Sequence, residues 1–293
     1  MSDVTVIGLG AMGASLATCL LNTRSVTVWN RSPEKAAALE QIGAHISPTV
    51  QEAIAASPVT LICVSDYAVA SGLFADECIQ HNLRGRTIIQ LSTGTPRDAV
   101  EGQAFFAKCG ASYLDGAIEA YPNGIGLPSS VILIAGEKAA FERVEPMVRE
   151  LAGASRYLGQ NVRAPAALDL AWLSRLEGLI MGTLHGARIC EAEGIPLSEL
   201  IPMMPEGDRA QSLLGTIERN DFVAGANAAT ISVAAGVISR LQEQALDAGI
   251  NSEFPDLMMT WFNRATEMGC SELDTAAAIC ALRGIVENES AKE

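Results

Sequence analysis

The chain has 293 residues, 49% of them hydrophobic, enough to bury a large core and to form two domains rather than one. Its formal net charge of −14 argues against general binding to nucleic acid or to anionic membranes. The seven cysteines are odd in number and lack C-x-x-C spacing, which suits reduced thiols in a cytoplasmic protein; the three histidines are too scattered to build a metal centre.

The first apolar strand starts almost at once, so no basic-plus-apolar leader is expected. It spans 3–8 and runs into Gly8-Leu9-Gly10-Ala11-Met12-Gly13, a G-x-G-x-x-G turn, and then a helix with apolar Leu16, Ala17, Leu20 and Leu21. That context makes the motif a dinucleotide fingerprint. Gly8 makes the tight turn, Gly10 lets backbone approach a pyrophosphate, and Gly13 lets helix and strand pack closely. The helix N-terminus offers N–H groups and a positive dipole end to phosphate.

A second strand, 26–30, ends at Asn30, where an NAD site places Asp or Glu on the ribose 2′-hydroxyl. Here stand Asn30, Arg31 and Ser32, followed by Lys35. All four can donate to a 2′-phosphate that a carboxylate would repel, so NADP is expected over NAD. The plainer reading of Arg31 and Lys35 is two solvated residues at a helix start.

Further strands are expected at 59–64, 87–91, 112–115, 130–135 and 155–158, with helices between most of them, among them 33–41, 97–108 and 138–151. Such alternation implies a mainly parallel sheet covered on both faces, with ligand at the strand C-termini. Val64, Ser65 and Asp66 fall there, as do Ser92, Thr93 and Gly94. These join the fingerprint residues as expected cofactor contacts.

After Gln160 the character changes. One long helix is expected over 165–192, stopped by Gly194-Ile195-Pro196. Helical segments follow near 197–205, 208–218, 222–248, 253–268 and 271–287, with a frayed tail from Glu287. The expected fold is an α/β Rossmann domain (1–160) and an all-α domain (161–293) that includes the long interdomain helix. The uncharged run 222–239 contains Asn227, Thr230 and Ser232 and is too polar to span a membrane. The alanine- and glycine-rich helix 222–248 would expose a large apolar face in a monomer, which points to a dimer.

Several motifs together resemble one family: GLGAMG at 8–13, NRS with Lys35, CVSDY at 63–67, LSTGTP at 91–96, YLDGAI at 113–118, P-x-x-I-G-x-P at 122–128 and ALDLAWL at 167–173. The chain is similar to the imine reductases and reductive aminases, a branch of the β-hydroxyacid dehydrogenase superfamily. The resemblance implies NADP(H) as cofactor and reduction of C=N bonds. It also implies an intertwined homodimer, with each active site between one subunit's Rossmann domain and its partner's helical domain.

Hydroxyacid dehydrogenases of this fold use a lysine on the interdomain helix, and this chain has no lysine between Lys138 and Lys292. The resemblance puts Asp169 in that place. A carboxyl group there can keep a substrate nitrogen protonated or stabilise an iminium as hydride arrives. The alternative is a helix-start residue favoured by the macrodipole.

Glu177 stands where many relatives carry tyrosine or another substrate-contacting residue, and it shares a helix face with Asp169, about 12 Å away along the axis. It either faces substrate or pairs with an arginine, a neighbour such as Arg175 or one from the partner chain. Glu119, after Ile118, replaces a more usual apolar residue and either lines the pocket or turns outward. If both carboxylates line the pocket, cationic amines are favoured. Thr93 is implied to approach nicotinamide and substrate; as a plain loop residue it would cap the helix near Pro96. Trp172 and Leu173 either wall the pocket or belong to the core.

Two other functions compete: a carbonyl or alcohol oxidoreductase of the β-hydroxyacid dehydrogenase kind, and a non-catalytic NADP-binding dimer. For the cofactor, the expected outcome of replacing Arg31 and Lys35 together by alanine is a selective loss. Each contact to a 2′-phosphate is worth about 1.5–3 kcal/mol, so NADPH affinity falls far more than NADH affinity in fluorescence titrations. Equal losses for the two nucleotides would place the phosphate elsewhere.

Overall fold

The computed structural model describes residues 1–225 and 228–289, which form two compact units, Met1–Asp169 and a second from Leu170 onward. In the first unit, β1 (Val4–Ile7), β2 (Val26–Trp29), β3 (His45–Ile46), β4 (Val59–Ile62), β5 (Thr87–Gln90), β6 (Ser112–Glu119), β7 (Val131–Gly136) and β8 (Arg156–Tyr157) make one sheet. Its order is β3-β2-β1-β4-β5-β6-β7-β8. Pairing is parallel from β3 to β6 and again between β7 and β8, whereas β7 runs antiparallel to β6. The seven expected strands are present. β3 was not anticipated, because two exposed residues carry no alternation to read.

The helices of this unit are α1 (Ala11–Leu21), α2 (Ala37–Glu40), α3 (Val50–Ala55), α4 (Tyr67–Leu73), α5 (Glu77–Asn82), α6 (Pro96–Lys108) and α7 (Lys138–Leu151). Residues 33–36 of the expected helix 33–41 form a 3-10 turn instead, with Pro33 at its start. Successive strand residues point to opposite faces, so the sheet feeds two cores. Val6, Leu61, Ile89 and Leu114 pack with Leu16, Leu20, Val144 and Val148 of α1 and α7. Ile7, Ile62, Ile88 and Tyr113 pack on the other face with Ala70 and Phe74 of α4 and Ala99 and Phe106 of α6. The strands are apolar on both faces because both are covered. Between β1 and β4 the direction of strand succession reverses, which opens a crevice at their C-terminal ends.

The long helix α8 (Arg163–Ala192) has 30 residues, ends where the expected helix 165–192 ends and starts two residues earlier, and runs from the first unit into the second. The second unit continues with α9 (Leu197–Leu200), α10 (Arg209–Arg219), α11 (Ile231–Ala248), α12 (Glu253–Glu267) and α13 (Ile279–Glu289). Leu184, Leu213, Ile231, Phe262 and Ile279 are among its core residues. Residues 201–203 of the expected helix 197–205 form a 3-10 turn.

Two expected helices start later than the pattern suggests. Helix 222–248 begins at Ile231, because the Thr230 hydroxyl accepts from the Val233 N–H and caps it there. The segment before it finds other partners: the Asp274 N–H donates to the Phe222 carbonyl at 2.9 Å, and the Ile231 N–H to the Leu273 carbonyl at 2.9 Å. Ala226 and Asn227 lie outside the described residues. Helix 271–287 begins at Ile279 after a 3-10 turn, Thr275–Ala278, which Asp274 caps by accepting from the Ala276 N–H. Residues 287–289, expected to be frayed, are helical, and 290–293 lie outside the described residues. Among the described residues, no helix is long and apolar enough to cross a membrane.

Candidate active site

The turn after β1 is built on backbone contact. Gly8 has φ +93°, and a Cβ at Gly13 would lie 1.9 Å from the Gly8 carbonyl oxygen, so no side chain fits between strand and helix. Gly10 stands at the N-cap of α1 with no side-chain cap, and a Cβ there would meet nothing within 4 Å. The N–H groups of Ala11, Met12 and Gly13 lie in the first turn of α1, where a helix offers no carbonyl partner, at the positive end of its dipole, an arrangement that fits a pyrophosphate.

Leu9 is buried, and its N–H donates to Asn30 Oδ1 at 2.9 Å. Asn30 Nδ2 donates to the Ser32 carbonyl at 3.0 Å. Asn30 thus holds the two strand-end turns together, a role that its type alone did not reveal. Arg31 and Lys35 are exposed beside it and Ser32 is half-buried, leaving donors for a phosphate at this edge.

At the ends of β4 and β5, the Val64 N–H donates to the Ser92 hydroxyl at 3.1 Å and ties the two loops to each other. Asp66 accepts from the Val69 N–H at 2.7 Å and from the Ser65 hydroxyl at 3.1 Å, so it caps α4. Helix α6 is capped by Thr95 and Asp98 in a reciprocal box and not by Thr93, which leaves the half-buried Thr93 outside that role.

Buried carboxylates are the other feature of the site residues. Asp169 is 9% exposed and lies in the second turn of α8, beyond the reach of a helix-start role. Glu177 is 4% exposed with Oε2 buried and unpartnered. Burial pushes Glu177 up to about 7, opposed by the positive charge of Arg209 on α10. Arg175 does not pair with it; that guanidinium lies 5.1 Å from the centre of the Trp172 ring. Trp172 is 49% exposed, so it is no core residue of its unit, and Leu173 is half-buried. Glu119 is half-buried with Oε1 unpartnered, and burial raises its carboxyl. Ile118 packs on the α1–α7 side of the sheet.

Sequence reasoning assigned no role to Asp115, although YLDGAI contains it. It is 1% exposed and accepts hydrogen bonds from the hydroxyls of Tyr67 and Tyr113. The available signal was a carboxylate set between apolar neighbours in the middle of the strand.

A family model for the NAD binding domain of 6-phosphogluconate dehydrogenase matches residues 3–159. The structure of an imine reductase from Myxococcus stipitatus in complex with NADP+ superposes with a TM-score of 0.67 and 31% identity, covering 96% of this chain and 99% of that one. The chain belongs to the imine reductase and reductive aminase family. A reductive aminase from Aspergillus terreus, solved with NADPH and ethyl levulinate, gives a TM-score of 0.66 at 29% identity over 96% of this chain and 99% of that one. An NADPH-dependent reductive aminase of Aspergillus oryzae is 35% identical over 191 residues, 64% of each chain, so this chain spans less than two thirds of that relative's length.

Within this imine reductase fold, Glu177 sets a pH dependence of stability. The folded state holds its proton up to about 7, against an ordinary 4.5, so stability falls as pH rises through that window. A rise of that size corresponds to about 3 kcal/mol. Glu177→Gln, which cannot ionise, is expected to be more stable than the parent at pH 8 and equal to it near pH 4 in urea unfolding. A difference that does not vary with pH would mean that the carboxyl is hydrated.

Proposed function

We propose that the protein reduces imines and iminium ions to amines with NADPH, and that it accepts carbonyl compounds together with amines for reductive amination. The observation that carries this reading is Asp169: a buried carboxyl on α8, on a helix that contains no lysine. A carboxyl suits a nitrogen that is or becomes cationic, whereas an alcohol or ketone needs a group that moves a hydroxyl proton.

NADPH supplies the hydride when bound. The N–H groups around Gly8, Leu9, Gly10, Ala11, Met12 and Gly13 hold its pyrophosphate, and Arg31, Ser32 and Lys35 hold the 2′-phosphate beside Asn30. The loops of Val64, Ser65 and Asp66 and of Ser92 and Thr93 flank the nicotinamide half. Asp169 keeps the substrate nitrogen protonated and stabilises its positive charge. Glu119 and Glu177 add carboxyl groups that a bound cationic amine would favour in the ionised form, so cationic amines are preferred over substrate carboxylates, and Ile118, Trp172 and Leu173 supply apolar wall.

Residues 1–160 are assigned to cofactor binding and 161–293 to the long helix and helical domain. Unpaired cysteines among the described residues support a cytoplasmic setting. Two copies are inferred to assemble as a homodimer with shared active sites. This is supported by exposed Val233 and Leu246 on α11 and Phe254 and Leu257 on α12. Sedimentation at micromolar concentration is expected to give a dimer; a stable monomer would remove the shared site.

The decisive substitution is Asp169→Asn, which keeps size and removes ionisation. NADPH affinity is expected to stay near that of the parent, while turnover of a neutral imine falls on the order of 10²–10⁴-fold. The loss is smaller for a permanently charged iminium, because no proton is needed there. Parent-like rates on both substrates would reduce Asp169 to a helix residue.

A further inference from the structure

Asp115 lies in β6 with its carboxyl on the face shared with α4 and α6. Its Oδ1 accepts from the Tyr113 hydroxyl at 2.9 Å and from the Tyr67 hydroxyl, while Oδ2 is buried without a partner. The ring of Tyr67 lies against Gly94 so closely that a Cβ at 94 would come within 2.4 Å of it. Tyr67 follows Ser65 and Asp66 directly, and Gly94 follows Ser92 and Thr93. One ring therefore touches both loops that were assigned to the nicotinamide half. The loops are joined a second time by the Val64 N–H to Ser92 bond, and the far end of the second is pinned by the Thr95–Asp98 box.

We propose that Asp115 is a positioning residue of the reductase: through the Tyr67 hydroxyl it locks the 64–67 and 92–95 loops in one register and so fixes where nicotinamide meets substrate. The proposal rests on the cofactor assignment made under the proposed function. The titratable groups facing Asp115 are Tyr113 on its own strand, Tyr67 on α4, Asp98 on α6 and Asp169 on α8, and none of these is cationic. Burial pushes the carboxyl up to about 7, with Asp98 and Asp169 adding to the rise and the two tyrosine hydrogen bonds opposing it. Below that pH the lock is neutral. Above it the same two hydroxyls donate to a carboxylate, which strengthens both hydrogen bonds, so the lock holds in either protonation state.

The test uses the full chain with a permanently charged cyclic iminium, so that substrate protonation adds no pH dependence, and saturating NADPH. Tyr67→Phe removes one oxygen and is expected to lower kcat about tenfold while the NADPH Kd moves less than about threefold, because misplacement of the reacting atoms costs rate more than binding. Asp115→Ala lowers kcat at least as far, and adding Tyr67→Phe to it costs nothing more, as two residues of one unit require. Asp115→Asn keeps an acceptor for the tyrosines and recovers most of the rate lost in Asp115→Ala. A network that only stabilised the core would shift Tm and leave these readouts alone. The proposal is overturned if Tyr67→Phe turns over within about twofold of the parent, or if Asp115→Asn turns over no faster than Tyr67→Phe. Should Asp115→Ala fail to fold, Tyr67→Phe and Asp115→Asn still decide. A parent that reduces no imine or iminium overturns the functional reading, and this proposal with it.

Discussion

The contact between the Gly8 carbonyl and the α-carbon of Gly13 is the constraint on which the first unit is arranged. With 1.9 Å available to a Cβ, the strand and helix meet backbone to backbone. That closeness brings the α1 dipole to the C-terminal end of β1, at the place where the strand succession reverses. The β2, β4 and β5 ends then lie along the same edge; Asn30 ties the β2 end to the turn after β1, and Ser92 ties the β5 loop to the β4 loop. A nucleotide site so built is rigid because its walls are backbone and short side chains, which lose little entropy on ordering.

The buried carboxylates work against stability. Asp115, Asp169 and Glu177 are each less than a tenth exposed, in a chain that already carries a net charge of −14. Burying an acid without a close cation is destabilising unless it stays protonated, and Asp115 and Glu177 both have raised pKa values that keep the proton near neutrality.

Much of this was legible in the residues because it depends on local pattern. The G-x-G-x-x-G turn, seven of the eight strands and the 30-residue helix follow from periodicity and from glycine and proline stops. What was not legible depends on distant partners. The starts of α11 and α13 are set by hydrogen bonds between residues 222–231 and 273–274, some forty positions apart or more, and an alanine-rich run looks helical without them. The Thr95–Asp98 box, by contrast, is a local pattern, a threonine three residues before an acid at a helix start. The two tyrosines on Asp115 come from separate elements, and only the fold brings them to one oxygen. The positive charge that acts on Glu177 comes from Arg209 on another helix, whereas Arg175, close in the chain, lies against the Trp172 ring.

The amide of Asn30 bears on how nucleotide preference can change over evolution or by design. The route to an NAD enzyme in this fold is a carboxylate at the end of β2. Here such a carboxylate would still accept from the Leu9 N–H, but its second oxygen would meet the Ser32 carbonyl where Asn30 now donates. Two lone pairs would then face each other across the turn that carries Arg31. The clasp therefore acts as a ratchet: exchange of the charged neighbours at 31 and 35 leaves it intact, whereas exchange at 30 must rebuild the turn at the same time.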